Sequence, residues 1–478
     1  MPGSRLRRGL RAARLGSLLR SPKGTSTLML STARTGAAAL AAAALLIGAA
    51  APALADTPSP AAAPAALYGK GDPTYDGVWR QSLALTALGA VKVVPSDAAV
   101  GWLTGQQCAD GGWASFRADT AVACDAKTED SNATAMAIQA LKLLGGHQDA
   151  VTRGTDWLKT VQNADGSWAF NPGNPGDANS TGLAVNALIA AGLDPAAVAK
   201  SGKSGYDGLA LFQLGCAAPA EQRGAFAYQP APDGALKAND LASAQALLAA
   251  AGGKLPVVNT NRVDAAPKPL DCAAAPATVP HTDSAEAAGA YLVAQLGANG
   301  QHLMQAMPGA TATPDFTATA WTVLGLVQSG HPQQAAPAAD WLAGNGYPWA
   351  AKGTSGTDAS AAALLLLTAQ AAERDPYDFG GTNVVQLLID SGPAPKSLPA
   401  AGASASADPA GTEADDDNGF SPVWLVGIGL LVGIGGGLLL SLQRKRGTHT
   451  VGAPSKAAGD KAAGSKAAVS KSEGDDQK

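Results

Sequence analysis

Aromatic side chains are scarce in this 478-residue chain, at 5% of residues. A cavity that stabilises carbocations between stacked rings needs a richer supply. Histidine is scarcer still, with five residues. His281, His302 and His331 show no paired-ligand spacing, and no Cys-x-x-Cys occurs, so the sequence marks no metal site. The three read as ordinary surface or turn histidines. Basic residues are few in the middle of the chain. Residues 36–442 carry 18 Lys and Arg against 34 Asp and Glu, a net of −16. That balance argues against nucleic acids and polyphosphates as partners.

The two ends differ from the middle. Residues 1–55 read as a signal peptide: eight basic residues and no acid, then an apolar run over 36–55 that closes on Ala53-Leu54-Ala55. Met29 is an alternative start. Residues 56–72 read as a linker, 73–393 as the folded domain and 394–419 as a Pro/Ala/Asp-rich disordered stalk. A transmembrane helix is expected over 420–442, where 423–442 is an uncharged stretch long enough to cross ~30 Å of hydrocarbon. Gln443-Arg444-Lys445-Arg446 follows it, which puts the tail, 443–478, in the cytoplasm and the domain outside. Four cysteines in an exported domain imply two disulfides. Of three pairings, Cys108–Cys124 and Cys216–Cys272 are favoured.

Between the ends the chain repeats itself. A helix bearing Trp-Leu leads to a Gly-x-Trp turn, a loop, and an Asp that opens an Ala/Leu-rich helix. The helices after the Asp are apolar nearly all round and should be buried. They fall near 76–90, 130–145, 177–191, 239–251, 315–329 and 357–371. Half-polar partners fall near 96–107, 150–162, 206–214, 284–296, 334–344 and 381–391. Six inner and six outer helices in alternation predict an all-α (α/α)6 toroid. Residues 252–280 form a long Pro/Ala loop at mid-chain.

The repeated phrase is most complete at 153–168, RGTDWLKTVQNADGSW, with Trp157-Leu158, Gln162, Gly166 and Trp168; the copy at 100–113 supplies Trp102-Leu103, Gln107, Gly111 and Trp113. Leu292, Leu296, Gly300 and His302 form a decayed copy, and Trp341-Leu342 with Trp349 a shortened one. The phrase resembles the QW repeat of squalene–hopene cyclases and of related toroids, including protein prenyltransferase β-subunits. The resemblance covers roughly 73–393. In that family the motif ties repeats together and does no catalysis, so it implies fold rather than activity.

The chemistry that the resemblance would bring is missing from the folded domain. It has no Asp-x-Asp-Asp acid, no Asp-Asp-x-x-Asp magnesium motif and no Asp-x-Cys zinc pair; Asp415-Asp416-Asp417 lies in the stalk. The Cys-Gly-Glu-Gln of thioester domains is also absent. No cofactor or metal is implied. What remains is a ring of acids, Asp130, Asp177, Asp240, Asp315 and Asp358, one at the start of each later inner helix. Helix capping accounts for each singly. Together with Asn132, Thr134, Asn179, Thr181 and Thr319 on the first turns, and Trp321 one turn further in, they mark a candidate site at one mouth of the toroid for a polar ligand with an apolar face.

The chain also resembles actinobacterial membrane-anchored surface proteins with such repeats, a group associated with vitamin transporters. Among non-enzymatic toroids, the cobalamin carriers offer the nearest analogy. These resemblances imply a non-catalytic protein that captures a small molecule, a corrinoid for instance, for a membrane transporter. Two alternatives stand beside that reading. One is a cyclase or transferase with a non-standard acid, which needs an inward Asp backed by a second carboxylate among aromatic rings. The other is a protein-binding scaffold, which needs an exposed apolar patch on the rim and no ligand-sized cavity.

Overall fold

The computed structural model describes residues 63–258, 261–273, 280–305 and 311–399. Six helices pack side by side in a closed ring: α1 (Gly77–Ala90), α3 (Ser131–Leu144), α5 (Ala178–Ala191), α7 (Asp240–Ala250), α9 (Phe316–Gln328) and α12 (Ala359–Ala371), which returns to α1. Each has a partner outside: α2 (Asp97–Gly105), α4 (Gln148–Val161), α6 (Gly205–Ala210), α8 (His281–Ala298), α10 (Pro332–Asn345) and α13 (Val384–Ile389). This is the all-α double ring that the repeats predict. Besides a single 3₁₀ turn, Ala220–Gln222, the sequence pattern does not disclose three small additions among the described residues. They are the one-turn α11 (Tyr347–Ala351) and two hairpins, β1 (Ala199–Lys200) with β2 (Lys203–Ser204) and β3 (Leu303–Gln305) with β4 (Thr313–Asp315).

Alanine and glycine let the inner helices approach closely. α5, α7 and α12 are buried along most of their length. A Cβ on Gly325 of α9 would stand 2.8 Å from the Leu247 side chain of α7. Side chains cap the N-termini. Asp130, Asp177, Asp315 and Asp358 accept backbone N–H bonds at the starts of α3, α5, α9 and α12. On α7 the cap is Asn239, and Asp240 is the first helical residue, one place away from the expected position.

The QW phrase is a set of hydrogen bonds. The Trp113 indole donates to the Leu103 carbonyl at the end of α2 (2.9 Å), and Trp168 does the same to Leu158 of α4 (2.8 Å). Gln107 Nε2 donates to Gly111 O and to Ala150 O of the next outer helix, both at 2.9 Å. Gln162 Nε2 donates to Gly166 O (3.0 Å). The indole therefore finishes a helix end. A further bond repeats in four of the units. Thr134, Thr181, Ser243 and Thr319 accept the backbone N–H of Trp113, Trp168, Phe226 and Leu303.

That last bond fixes the register of the degenerate copies. Phe226 occupies the tryptophan place of a copy not visible in the sequence, whose glutamine is Gln213: its Nε2 donates to Gly224 O and to Ser284 O of α8. In the decayed copy the place belongs to Leu303, not His302. In the shortened copy it belongs to Ala350, not Trp349, because Asp358 N donates to Ala350 O as Asp177 N does to Trp168 O. His302 and Trp349 instead join a partly exposed ring cluster: His302 stacks on Trp341, and Phe316 packs against both Trp341 and Trp349.

Both expected disulfides are present, Cys108–Cys124 and Cys216–Cys272. The mid-chain loop closes the C-terminal end of the inner ring. Leaving α7, it crosses α5, where Asn186 Nδ2 donates to Gly253 O (2.7 Å). It reaches α3, where Leu255 N donates to Gln139 Oε1 (2.9 Å). Leu255 and Val257 are buried there. Further on, the loop meets His331, which is buried rather than at the surface, with its ring nitrogens on Ala265 O and Glu286 Oε1.

The folded unit is wider than 73–393. Tyr68, in the segment read as linker, is fully buried, and Val94 pairs with Ser397 of the segment read as stalk. The signal peptide, Met29, most of the stalk, the apolar run and the tail lie outside the described residues. Among the described residues no helix is long and apolar enough to cross a membrane.

Candidate functional site

The N-terminal mouth of the inner ring holds a cavity of about 380 Å³. α5 contributes its cap Asp177 with Asn179, Ser180 and Leu183; α7 contributes its cap Asn239 with Leu241 and Gln245. Trp79 of α1, Asn132 of α3 and Asp315, the cap of α9, complete the wall, with Phe170 and Tyr228 from the loops. The geometry has a simple origin. Asn132, Asn179 and Leu241 stand two places after their caps, and Leu183 and Gln245 six places after, so they share one helix face a turn apart. Phe170 and Tyr228 stand two residues after the motif rings Trp168 and Phe226. Their carbonyls accept the first N–H groups of α3 and α5, which holds both rings at the rim.

Both carboxylates at the cavity are engaged. Asp177 Oδ1 accepts from Ser180 N (2.7 Å) and Oδ2 from Ser180 Oγ (2.8 Å); Asp315 Oδ1 accepts from Ala318 N (2.8 Å). Burial raises both above the ordinary carboxylate range, and the capping bonds oppose it. The neutral side chains are less committed. Gln245 is 6% exposed; its Oε1 accepts from Asn179 Nδ2, and its own Nε2 has no protein partner. Asn132 Oδ1 is buried with no partner. No Lys, Arg or His lines the cavity.

Of the expected ligand residues, the cavity gathers Asn132, Asp177, Asn179 and Asp315. The others work elsewhere. Asp130 is buried, caps α3 and accepts from Ser115 Oγ (2.7 Å). Asp240 accepts the Tyr291 hydroxyl (2.6 Å) and Asp358 caps α12. Thr134, Thr181 and Thr319 are committed to the motif backbone, and Trp321 is in the core, 1% exposed. Sequence reasoning missed Asn239, Gln245, Trp79, Phe170 and Tyr228. The Asp-x-x-x-Thr spacing was the available signal, since it continues as Asn239-x-x-x-Ser243 and places the following turn of α7 in register with α5.

One cluster with metal-ligand atoms exists among the described residues. Cys108, Cys124 and Glu129 come within 4.8 Å of one another, but both sulfurs are tied up in the disulfide. Glu129 is 1% exposed, and burial with the neighbouring Asp110 carboxylate pushes it up to about 7.

Residues 65–189, from α1 through α5 and both full copies of the repeat, match the family model of the squalene-hopene cyclase C-terminal domain. The crystal structure of a protein from Actinoplanes is similar at 16% identity, covering 64% of this chain and 92% of that one, with a TM-score of 0.39. No curated protein matches the sequence.

Proposed function

We propose that the toroid is a capture protein that holds a small, uncharged polar ligand with one apolar face in the cavity at its N-terminal mouth. One observation carries the reading: Gln245, almost wholly buried, lines that cavity with an unpaired amide donor. Held at the end of a buried side chain and facing the open cavity, that donor is a fixed hydrogen-bonding point, and a ligand that accepts there takes the place of cavity water. A volume of 380 Å³ is at the small end of ligand pockets. A whole corrinoid exceeds it and would be gripped only by an edge. In this reading the apolar run at 423–442 tethers the toroid at the cell surface, where it hands its ligand to a membrane transporter.

One observation favours the enzyme alternative: two carboxylates and three aromatic rings do share the cavity. Against it, the same wall presents Asn132, Asn179, Asn239, Gln245 and Ser180, whose oxygens would trap a carbocation. A scaffold is less well supported, because a ligand-sized cavity exists and the most exposed large apolar side chains, Tyr75, Val258 and Val122, are scattered along the chain.

The test is thermal unfolding of the full-length, disulfide-bonded chain against cyanocobalamin, cobinamide, haem, farnesyl diphosphate, squalene and a set of neutral polar fragments. A ligand present at a hundred times its Kd stabilises the fold by ~2.7 kcal/mol. Neutral fragments are expected to raise the midpoint, and Gln245→Leu to abolish the shift. A shift from a corrinoid that Gln245→Leu removes would restore the corrinoid; a shift from the isoprenoids alone would favour the enzyme. No shift from any compound would end the capture reading.

A further inference from the structure

The groups already committed at the mouth of the ring narrow the ligand class, an inference that rests on the capture reading. The carboxylates of Asp177 and Asp315 are engaged in capping α5 and α9. The wall contains no cation, so a phosphate or carboxylate ligand has nothing to neutralise it. An ammonium ligand would find one carboxylate oxygen outside the capping bonds, Asp315 Oδ2, so a cationic control belongs in the test. Besides that oxygen, three uncommitted polar groups at the cavity are neutral: the Gln245 donor, the Asn132 amide and the half-exposed Tyr228 hydroxyl.

These three groups sit on separate elements, α7, α3 and the loop before α7. A nucleobase presents its hydrogen-bonding edge in one plane and would meet one of these elements. A sugar ring carries hydroxyls around its whole circumference, and each hydroxyl both donates and accepts. It therefore satisfies an isolated donor and an isolated acceptor from one scaffold. Its other face is a patch of C–H groups, which packs on aromatic rings, and Trp79, Phe170 and Tyr228 supply three. We infer that the cavity takes a neutral saccharide of one or two rings, with hydroxyls on Gln245 and Asn132 and a C–H face on the aromatic rim. The rim opens to solvent, so the sugar enters either free or as the end of a glycan chain.

Isothermal titration of the full-length chain decides this. The probes are glucose, cellobiose, N-acetylglucosamine and its β-1,4 dimer, with glucuronate, choline and adenosine as charged and planar controls. At least one neutral saccharide is expected to bind with a Kd on the order of 0.1 mM. Gln245→Leu and the rim substitution Tyr228→Ala should each weaken it about tenfold or more, and Tyr347→Ala, away from the cavity, should not. Because Tyr228 is half-exposed, its variant keeps the test valid even if Gln245→Leu fails to fold. Co-sedimentation with cellulose and chitin then separates the sources: a polymer retained by the wild type and lost in Tyr228→Ala identifies a glycan end, and binding of the soluble sugar alone identifies a free saccharide. Binding of adenosine or choline in place of every sugar, sensitive to Gln245→Leu, would overturn the saccharide and leave capture standing. Sugar binding indifferent to both variants would overturn the site, and silence from every probe would overturn capture as well.

Discussion

Gly166 shows how a single position decides the repeat. Its φ is +89°, and a Cβ there would sit 2.2 Å from the Ser204 carbonyl oxygen at the start of α6. Gly173 has a similar φ, +83°, but open space around it. Gly166→Ala therefore adds a backbone clash to the left-handed strain and should cost ~3 kcal/mol or more; Gly173→Ala should cost ~1 kcal/mol. Urea unfolding of the two variants separates strain from clash, and equal losses would remove the close approach as the reason for glycine. Glu129 gives a second test at this scale. Its neighbours are Asp110, Arg117 and the Trp157 indole, and in the fold it titrates at about 7 against an ordinary 4.5. Between those values the folded chain binds more protons than the unfolded one, so stability falls as pH rises from 4.5 to 7 and is level above. Glu129→Gln should remove a slope worth on the order of 2 kcal/mol across that window. Denaturation midpoints at pH 5 and 7.5 measure it, and parallel curves for both proteins would count against the buried acid.

At the scale of the helix, the Asp and the hydroxyl four residues later have separable roles. Asp177 caps α5 from the buried wall of the cavity, and an amide oxygen can still accept the Ser180 N–H, so Asp177→Asn should keep most of the cap and cost under ~1 kcal/mol. Thr181 accepts the Trp168 N–H (3.0 Å) inside the core. Thr181→Val strands that donor and should cost about 1–3 kcal/mol, although it changes no exposed group. Equilibrium unfolding ranks the two, and the reverse order would return Thr181 to the candidate ligand set. The same pair explains what could be read from the sequence. Ala/Leu-rich helices of constant spacing make the alternation of inner and outer elements legible, and a capping Asp is visible beside them. Which first-turn side chain faces the bore is not, because Asn132 and Thr134 differ only by rotation about the helix axis. The copies with Phe226 and Leu303 escape notice for a related reason: a backbone N–H meets the hydroxyl whatever side chain stands above it.

For the whole molecule, the ring has two ends with opposite uses. At the N-terminal mouth the caps, amides and rims leave a cavity. At the other end the mid-chain Pro/Ala loop crosses from α7 to α3 and buries Leu255. Sequence pattern is silent about such a crossing, since it depends on two long-range bonds to Gln139 and Asn186 rather than on any periodicity. A loop that merely linked two half-rings would tolerate truncation of Leu255; a plug that completes the core would not. Leu255→Ala should lower unfolding free energy by 2–4 kcal/mol, the range for an unfilled core site. The Leu255 N–H bond to Gln139 is a backbone bond and survives the change, so the loss measures packing alone. The cavity is walled by the first two turns of the inner helices, and Gln139 and Asn186 lie in the third, so ligand affinity should change less than twofold. Titration of a bound saccharide or fragment on Leu255→Ala reads this directly. An affinity that falls with stability would mean that the bore is a single mechanical unit, with the plug setting the spacing of α3, α5 and α7 around Gln245.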